Sequence, residues 1–423
     1  MLLLYKVEGD NLNDSQMKHD FKLSEVVIIV LITCTFSIFA GISYGKYKYS
    51  DSVNINNLSI EEENDGLNEF IKQYKYIINH YYDSSKIDEK ELLNVALKSI
   101  LSELGMSDNY SSYMDEEQYN ELNINLNGKY DGLGIRAYKE NNDGYIIVLS
   151  VIEDSPASLA DIKEGDYIKS IDGKDTDKMS TQEFSQYVLQ SDSKKFVLKL
   201  IRDKEEISVN INKSSIELKS VESKIIENNN KNIGYIQISI FASNTYNQFK
   251  QQLESLEKDE IDSLIIDLRN NSGGHLKEVT KILNLFLDKQ NVIYQLQKDD
   301  EPVKYYSKGN KNKEYPIIFL SNNATASASE VFIISLKENL GAKVVGTKTF
   351  GKGTVQELIQ LENGDQYKIT TKKWLSPQGV WVNETGGIEP DVNVSLNSDY
   401  LKNPNDSNDN QLKKAIEMSS NDL

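Results

Sequence analysis

The strongest constraint on this chain is a strand–turn–helix–strand signature between Tyr315 and Gln356. An apolar run, Tyr315 to Ser321, reads as a strand. It gives way to small residues, Asn323-Ala324-Thr325-Ala326-Ser327-Ala328-Ser329-Glu330. Val331, Phe332, Ile334 and Leu336 then set a helix, and Ala342 to Thr347 a second strand. A glycine-bracketed lysine, Gly351-Lys352-Gly353, follows ahead of Thr354-Val355-Gln356. Small residues between a strand and a helix can leave a hydroxyl exposed beside unpaired backbone N–H groups. Acyl transfer needs both, a nucleophile and donors for the oxyanion.

Two serines in this turn, Ser327 and Ser329, are candidate nucleophiles, although a serine there is more often only a helix cap. The chain has three histidines, His19, His80 and His275. His275 directly follows Gly273-Gly274, but no surrounding pattern marks it as a base. Lys352 is the other candidate. It must be neutral to accept a proton, so burial has to bring its pKa down from about 10.4 toward 7–8. Gln356 lies four residues on, on the same face, and can orient an amine without adding negative charge.

At 423 residues the chain is too long for one core, so two or three domains are expected. The net charge of −18 argues against nucleic acid as a partner. A single cysteine, Cys34, rules out an internal disulfide and a cysteine-rich metal site. No metal or cofactor is expected.

Residues 1–25 form a polar segment carrying Lys6, Lys18 and Lys22. Val26 to Tyr44 is an uncharged run of 19 residues, about enough to span a bilayer as a helix. It reads as a single-pass membrane anchor (26–44) with a cytoplasmic N-terminus, the alternative being a cleaved signal peptide. Residues 45–64 read as a linker.

Residues 65–122 read as a helical packing module. One helix of it ends at Gly105, Tyr110 to Met114 is a turn, and Asp115 to Leu122 is a short helix. In residues 123–215, the Gly132-Leu133-Gly134-Ile135 loop precedes SPASLADIKEGDYIKSIDG (Ser155 to Gly173). Strands at Lys195–Arg202 and 206–211 and a helix at 181–189 complete the pattern, which resembles a PDZ domain. That resemblance implies that Leu133, Gly134 and Ile135 hold a peptide's C-terminal carboxylate while the peptide adds as a strand. Residues 216–400 read as an α/β core. Its expected elements include a helix from Lys277 to Leu287 and strands at 366–371 and 379–382. Residues 401–423 are a linker and terminal helix.

Motifs in order, GMSDNYSSYM, NIGYIQISIF, IIDLRNNSGG, ATASASE, TFGKGTVQ, GGIEPDV and NQLKKAIE, resemble the C-terminal processing peptidases over about residues 65–420. These are PDZ-containing serine proteases of the S41 family with a Ser-Lys dyad. The resemblance implies an α+β multidomain chain. An N-terminal transmembrane helix and helical module are followed by a PDZ domain and an α/β (ClpP/crotonase-like) protease core. Ser327 matches the nucleophile, Lys352 the general base and Gln356 the residue that orients it. Ala328 with Gly273 or Gly274 matches the oxyanion hole.

The implied activity is a serine endopeptidase cleaving protein or peptide substrates with free C-termini, its catalytic part outside the cytoplasm. Relatives also suggest a homodimer formed through the helical module and terminal helix. The chain departs from the family pattern in several places, Thr325 in place of the first serine of Ser-Ala-Ser-Ala-Ser-Glu among them. Asn109 replaces a proline, Ser272 replaces the proline of the oxyanion turn, and Gln190-Ser191 replaces an Arg-Gly pair that can couple the PDZ domain to the active site. A PDZ scaffold with an inactive core, or a hydrolase of small acyl substrates, are the competing readings. The intact Ser327, Lys352 and Gln356 oppose the first, and the PDZ pattern opposes the second.

Overall fold

The computed structural model describes residues 65–114, 116–140, 144–310, 313–361 and 366–420. The expected anchor, residues 26–44, lies outside them, as do the flanking segments 1–25 and 45–64. Among the described residues no helix is long and apolar enough to cross a membrane. The chain divides into a unit of residues 1–85 and a unit of residues 86–423. The described part of the first is mainly α1 (Asp65–His80). At its end the His80 ring stacks on Tyr76, with centroids 4.1 Å apart.

The second unit opens with α2 (Glu89–Asp108), capped by the Asp88 side chain. It continues past Gly105, where termination was expected. Asn109 ends it in the left-handed conformation, φ 61°, its N–H donating to Gly105 O. Glycine is needed at 105 for a different reason: a Cβ there would lie 2.5 Å from Ser111 O. The expected turn at 110–114 is in part a strand, β1 (Ser112–Met114), before α3 (Glu116–Asn127).

Residues 129–217 build a β-module. In chain order its elements are β2 (Lys129–Gly132), β3 (Ile135–Tyr138), β4 (Ile146–Val151), α4 (Pro156–Leu159), β5 (Tyr167–Ile171), β6 (Lys174–Asp175), α5 (Thr181–Gln190), β7 (Lys195–Arg202), β8 (Glu205–Asn212) and β9 (Ser214–Glu217). Strands β3-β4-β5-β7-β8 form one sheet, and β2 pairs with β9. Alternation along β7 buries Phe196, Leu198 and Leu200 and leaves Lys195, Val197 and Lys199 out, the period-2 pattern of a half-buried strand.

The remainder is a two-sheet α/β core. It runs β10 (Val221–Asn228), β11 (Lys231–Ile238), α6 (Thr245–Lys258), β12 (Ser263–Asp267), α7 (Leu276–Leu283), β13 (Val292–Gln297), β14 (Val303–Tyr306), β15 (Ile317–Ser321), α8 (Ala328–Leu340), β16 (Lys343–Gly346), β17 (Thr354–Gln360), β18 (Gln366–Leu375), α9 (Val382–Thr385), β19 (Val392–Asn393), α10 (Ser398–Lys402) and α11 (Asn410–Ser420). The main sheet has the order β10-β11-β12-β15-β16-β19, parallel except for the β10–β11 hairpin. Strand β12 is buried throughout because both faces are covered. On one face Phe332 of α8 meets Phe319, Phe241 and Phe249 edge-on, centroids 5.3, 5.9 and 6.2 Å away. Such pairs each contribute about 0.5–1.5 kcal/mol beyond burial, which fixes α8 on the sheet. Leu412 and Ala415 of α11 cover the other face.

Strands β1-β18-β13-β14, with β17 on β18, form the second sheet. Two expectations fail here for identifiable reasons. Helix α7 stops at Leu283, where the next amides tighten into turns, Leu285 N donating to Ile282 O at 2.9 Å and Phe286 N to Leu283 O at 3.0 Å. Ser307 Oγ donates to Leu287 O at 2.8 Å, and Lys308 N donates to Asn284 Oδ1 at 2.8 Å. Residues 379–382 form no strand. Trp381 leads instead into the single turn α9, ended by Gly386 at φ 63°.

Candidate active site

Ser327 stands at the junction of the β15 turn and α8, with φ 57° and ψ −117°. A non-glycine residue there carries of order 1–3 kcal/mol of strain, which the surroundings must hold. They do so through neighbouring side chains and carbonyls. Asn271 O accepts from Ala326 N at 3.0 Å and from Ser329 Oγ at 3.0 Å. Thr325 Oγ1 donates to Leu268 O at 2.8 Å. Of the two candidate serines, Ser329 is therefore buried and committed to the backbone, while Ser327 remains partly exposed.

The Gly273-Gly274 turn packs directly on Ser327. A Cβ on Gly273 (φ 107°) would lie 3.0 Å from Ser327 Cβ, 2.9 Å from Ala326 O and 3.1 Å from Ala328 N. The two glycines differ in their N–H groups. Gly273 N donates to Asn271 Oδ1 at 2.9 Å. Among the described residues the N–H groups of Gly274 and Ala328 have no acceptor. His275 follows as the N-cap of α7, its N–H donating to Phe241 O.

The Lys352 loop reaches the same place through Glu330. This carboxylate is fully buried. Oε2 accepts the N–H of Ser327 at 2.8 Å and that of Lys352 at 2.8 Å. Oε1 accepts Gly351 N at 2.7 Å and Thr349 Oγ1 at 2.6 Å. Burial pushes its pKa up, opposed by these hydrogen bonds. The loop's carbonyls are held too. Trp374 Nε1 donates to Lys352 O at 2.8 Å, and Trp381 Nε1 to Gly353 O at 2.9 Å. Gly353 N donates to Asn383 Oδ1. The segment Trp381 to Thr385 thus closes over the lysine loop instead of extending as a strand.

The Lys352 side chain is partly buried, and its pKa falls to about 8. Burial is the main cause and nearby Lys368 adds to it, while Glu330 and Asp108 oppose them. The amine sits over the Tyr110 ring, 4.5 Å from its centroid. Among the described residues no hydrogen bond joins Lys352 Nζ to Ser327 Oγ. Gln356 Nε2 donates to Thr354 Oγ1 on its own strand, β17, at 2.8 Å and to Thr370 Oγ1 on β18 at 3.2 Å. The structure therefore brings Ser327, Ala328, Gly273, Gly274 and the Lys352 loop together. It does not put Gln356 in hydrogen-bond contact with Lys352.

Sequence reading passed over Glu330, Tyr110 and both tryptophans. Glu330 alone carried a local signal, an acidic residue at the third helical position after Ser327.

A second site lies in the β-module. Leu133, Gly134 and Ile135 edge a groove of about 220 Å³ whose far wall is Phe184, Val188 and Leu189 of α5. Gly134 (φ 84°) is obligatory, since a Cβ would lie 2.2 Å from Ser155. Leu133 O accepts from Ala157 N of α4 and Gly134 O from Ile152 N just past β4, so both loop carbonyls are engaged. Where an Arg-Gly pair was absent, at Gln190-Ser191, Lys213 Nζ bonds Val188 O, Leu189 O and Ser191 O, a cation at the end of α5.

Comparison with known proteins agrees with this layout. Residues 232–394 match Peptidase family S41, residues 147–202 match a PDZ domain, and residues 31–118 match the activating protease CtpB N-terminal domain. The chain is 33% identical over 366 residues to the carboxy-terminal processing protease CtpB of Bacillus subtilis, covering 85% of this chain and 73% of that protein. It is 34% identical over 336 residues to CtpA of the same organism, 79% and 70% covered. Among solved structures, the photosystem II D1 C-terminal processing protease aligns at 21% identity with a TM-score of 0.42, over 77% of this chain and 92% of that one.

Proposed function

The chain belongs to peptidase family S41 and is a serine peptidase with a PDZ domain, and on that premise we propose that it is a membrane-anchored endopeptidase acting near the C-termini of proteins through a Ser327–Lys352 dyad. One observation carries the dyad. A single buried carboxylate, Glu330, takes the N–H of both Ser327 and Lys352, tying nucleophile and base to one point.

In this reading neutral Lys352 accepts the Ser327 proton as Oγ attacks the scissile carbonyl. Its pKa near 8 leaves a useful neutral fraction at neutral pH. The oxyanion forms against Ala328 N–H, at the positive end of α8, and a glycine N–H. Gly274 is favoured for the latter, because Gly273 N–H is already bonded to Asn271. Lysine then protonates the leaving amine, and water hydrolyses the acyl-enzyme. Thr354 and Thr370 hold the Gln356 amide N–H groups, and its Oε1, which makes no hydrogen-bond contact with Lys352 here, would orient the amine once substrate is bound. The Leu133-Gly134-Ile135 loop binds the substrate carboxylate, and the apolar α5 wall takes its last side chain.

The test is digestion by the full chain of an unfolded protein with an apolar C-terminus, free or amidated. Wild type should cleave the free form faster, and Ser327→Ala and Lys352→Ala should each lose at least about 10³-fold in kcat. Activity surviving in Lys352→Ala but lost in His275→Ala would sink the dyad. The anchor, Val26 to Tyr44, places the catalytic part outside the cytoplasm. Carbonate washing of membranes checks it: retention is expected, and release into the wash removes the anchor from the proposal.

A further inference from the structure

The motif Asp108 to Met114 (DNYSSYM) has no part in the chemistry above, yet it reaches the base. Lys352 has its own backbone fixed on both sides, N–H on Glu330 and carbonyl under Trp374. Only its side chain is left to be placed. Among the described residues no oxygen accepts a hydrogen bond from Nζ, and the group it meets is the face of the Tyr110 ring, at 4.5 Å. An amine at that distance over an aromatic face is held by the ring's quadrupole.

Tyr110 is built into its place. Asp108 Oδ1 accepts the N–H groups of Tyr110 and Ser111, both at 2.7 Å, and Oδ2 accepts Ser111 Oγ at 2.5 Å. Ser111 Oγ in turn accepts Thr370 N at 3.0 Å, which bonds this turn to β18. Strand β1 continues the attachment, with Ser112 opposite Lys368 and Tyr113 opposite Tyr367. Strand β18 is also the partner of β17, the strand that starts two residues after Lys352. The turn and the lysine loop are therefore carried by one sheet.

We propose that Tyr110 is a positioning residue for Lys352, its ring face seating the amine of the base, so that the segment before the PDZ region completes the catalytic centre. This rests on the reading of Lys352 as base. The charged groups facing the amine are Lys368 from β18, which disfavours its charge, and Glu330 of α8 and Asp108 of α2, which favour it. The ring's negative face adds to the second group. Replacing it with an aliphatic side chain of similar bulk keeps water out but removes that attraction, so the amine loses its proton at lower pH.

The experiment measures the Lys352 midpoint in two ways in the full chain. One is the acid limb of kcat/KM on a peptide substrate. The other is the pH dependence of acetylation by limiting acetic anhydride, read at Lys352 by mass spectrometry. Wild type should give a midpoint near 8. Tyr110→Leu should lower both midpoints by about 0.5–1.5 pH units and reduce kcat about tenfold with KM little changed. Tyr110→Phe, which keeps the ring, should restore the wild-type values. Fluorescence of Trp374 and Trp381, which clamp the lysine loop, reports that each variant is folded. A folded Tyr110→Leu protein with an unmoved acetylation midpoint overturns the proposal. Peptidase activity in Lys352→Ala would instead remove the base reading, while the acetylation midpoints still decide the seat.

Discussion

Two carboxylates in the core, Glu330 and Asp267, are equally buried but differently held. Glu330 is ringed by neutral donors, three backbone N–H groups and the Thr349 hydroxyl. Asp267 is paired with a guanidinium, Arg269 Nη2 at 2.5 Å and Nε at 3.0 Å, with Tyr235 OH at 2.8 Å. Arg269 also bridges to Asp409 at 2.8 Å and to Gln411, which ties the terminal helix α11 to the sheet. The difference fits the two jobs. A guanidinium beside Glu330 would occupy the place where the amine of Lys352 must be able to lose its charge. Neutral donors hold the carboxylate without bringing a competing cation. At Asp267 the partner is a guanidinium, which keeps its charge, so an ion pair serves, and its worth is mechanical.

The comparison breaks most sharply if the charge is removed from each centre in turn. Glu330→Gln puts an amide N–H₂ where two donors need an acceptor. Hydrogen bonds to a charged group contribute about 1.5–3 kcal/mol each, so kcat/KM should fall about 10²–10⁴-fold as Ser327 and Lys352 lose their common anchor. Arg269→Leu strands Asp267 and Asp409 without their cation and should cost about 3–5 kcal/mol of stability. That loss should appear as a lowered melting temperature, with kcat below the transition within about tenfold of wild type. The reverse pattern, with Glu330→Gln affecting melting alone and Arg269→Leu affecting kcat alone, would dissolve the distinction.

The sequence carried one of these centres better than the other. Ser327 and Lys352 are legible because small residues and glycines mark where backbone must approach backbone, a local property. Glu330 falls inside the same motif, but its role depends on Thr349 to Lys352, about twenty residues away, folding back on it. Arg269 and Asp409 lie 140 residues apart, and nothing local predicts that pair. The same reason hides β1. Three residues are too few for a period, and their partners in β18 lie more than 250 residues on. The longer strands β7 and β11 were readable from alternation or continuous apolar runs. Residues 379–382 read as a strand from their composition, but both neighbouring indole N–H groups are spent on the lysine loop, which a linear pattern cannot express.

Asp108 tests whether burial or the number of donors sets the scale, and the expected effect is the smallest. Like Glu330 it is held by neutral donors alone: the N–H groups of Tyr110 and Ser111 and the Ser111 hydroxyl. Unlike Glu330 it is part exposed. Burial works to raise its pKa, but the Ser111 and Tyr110 hydrogen bonds win and bring it down from 3.8 to about 2. A depressed carboxylate stabilises the fold above its unfolded pKa and loses that contribution as pH falls through the folded one. Asp108→Asn should therefore be less stable than wild type at pH 7 by under about 1 kcal/mol once solvent screening is allowed for. In urea titrations the gap should narrow between pH 4 and pH 2, the window set by the two pKa values. Asparagine keeps an acceptor for the two N–H groups, so Tyr110 stays in place. A loss as large as that of Glu330→Gln would mean that the donors, and not burial, set the energy of both carboxylates.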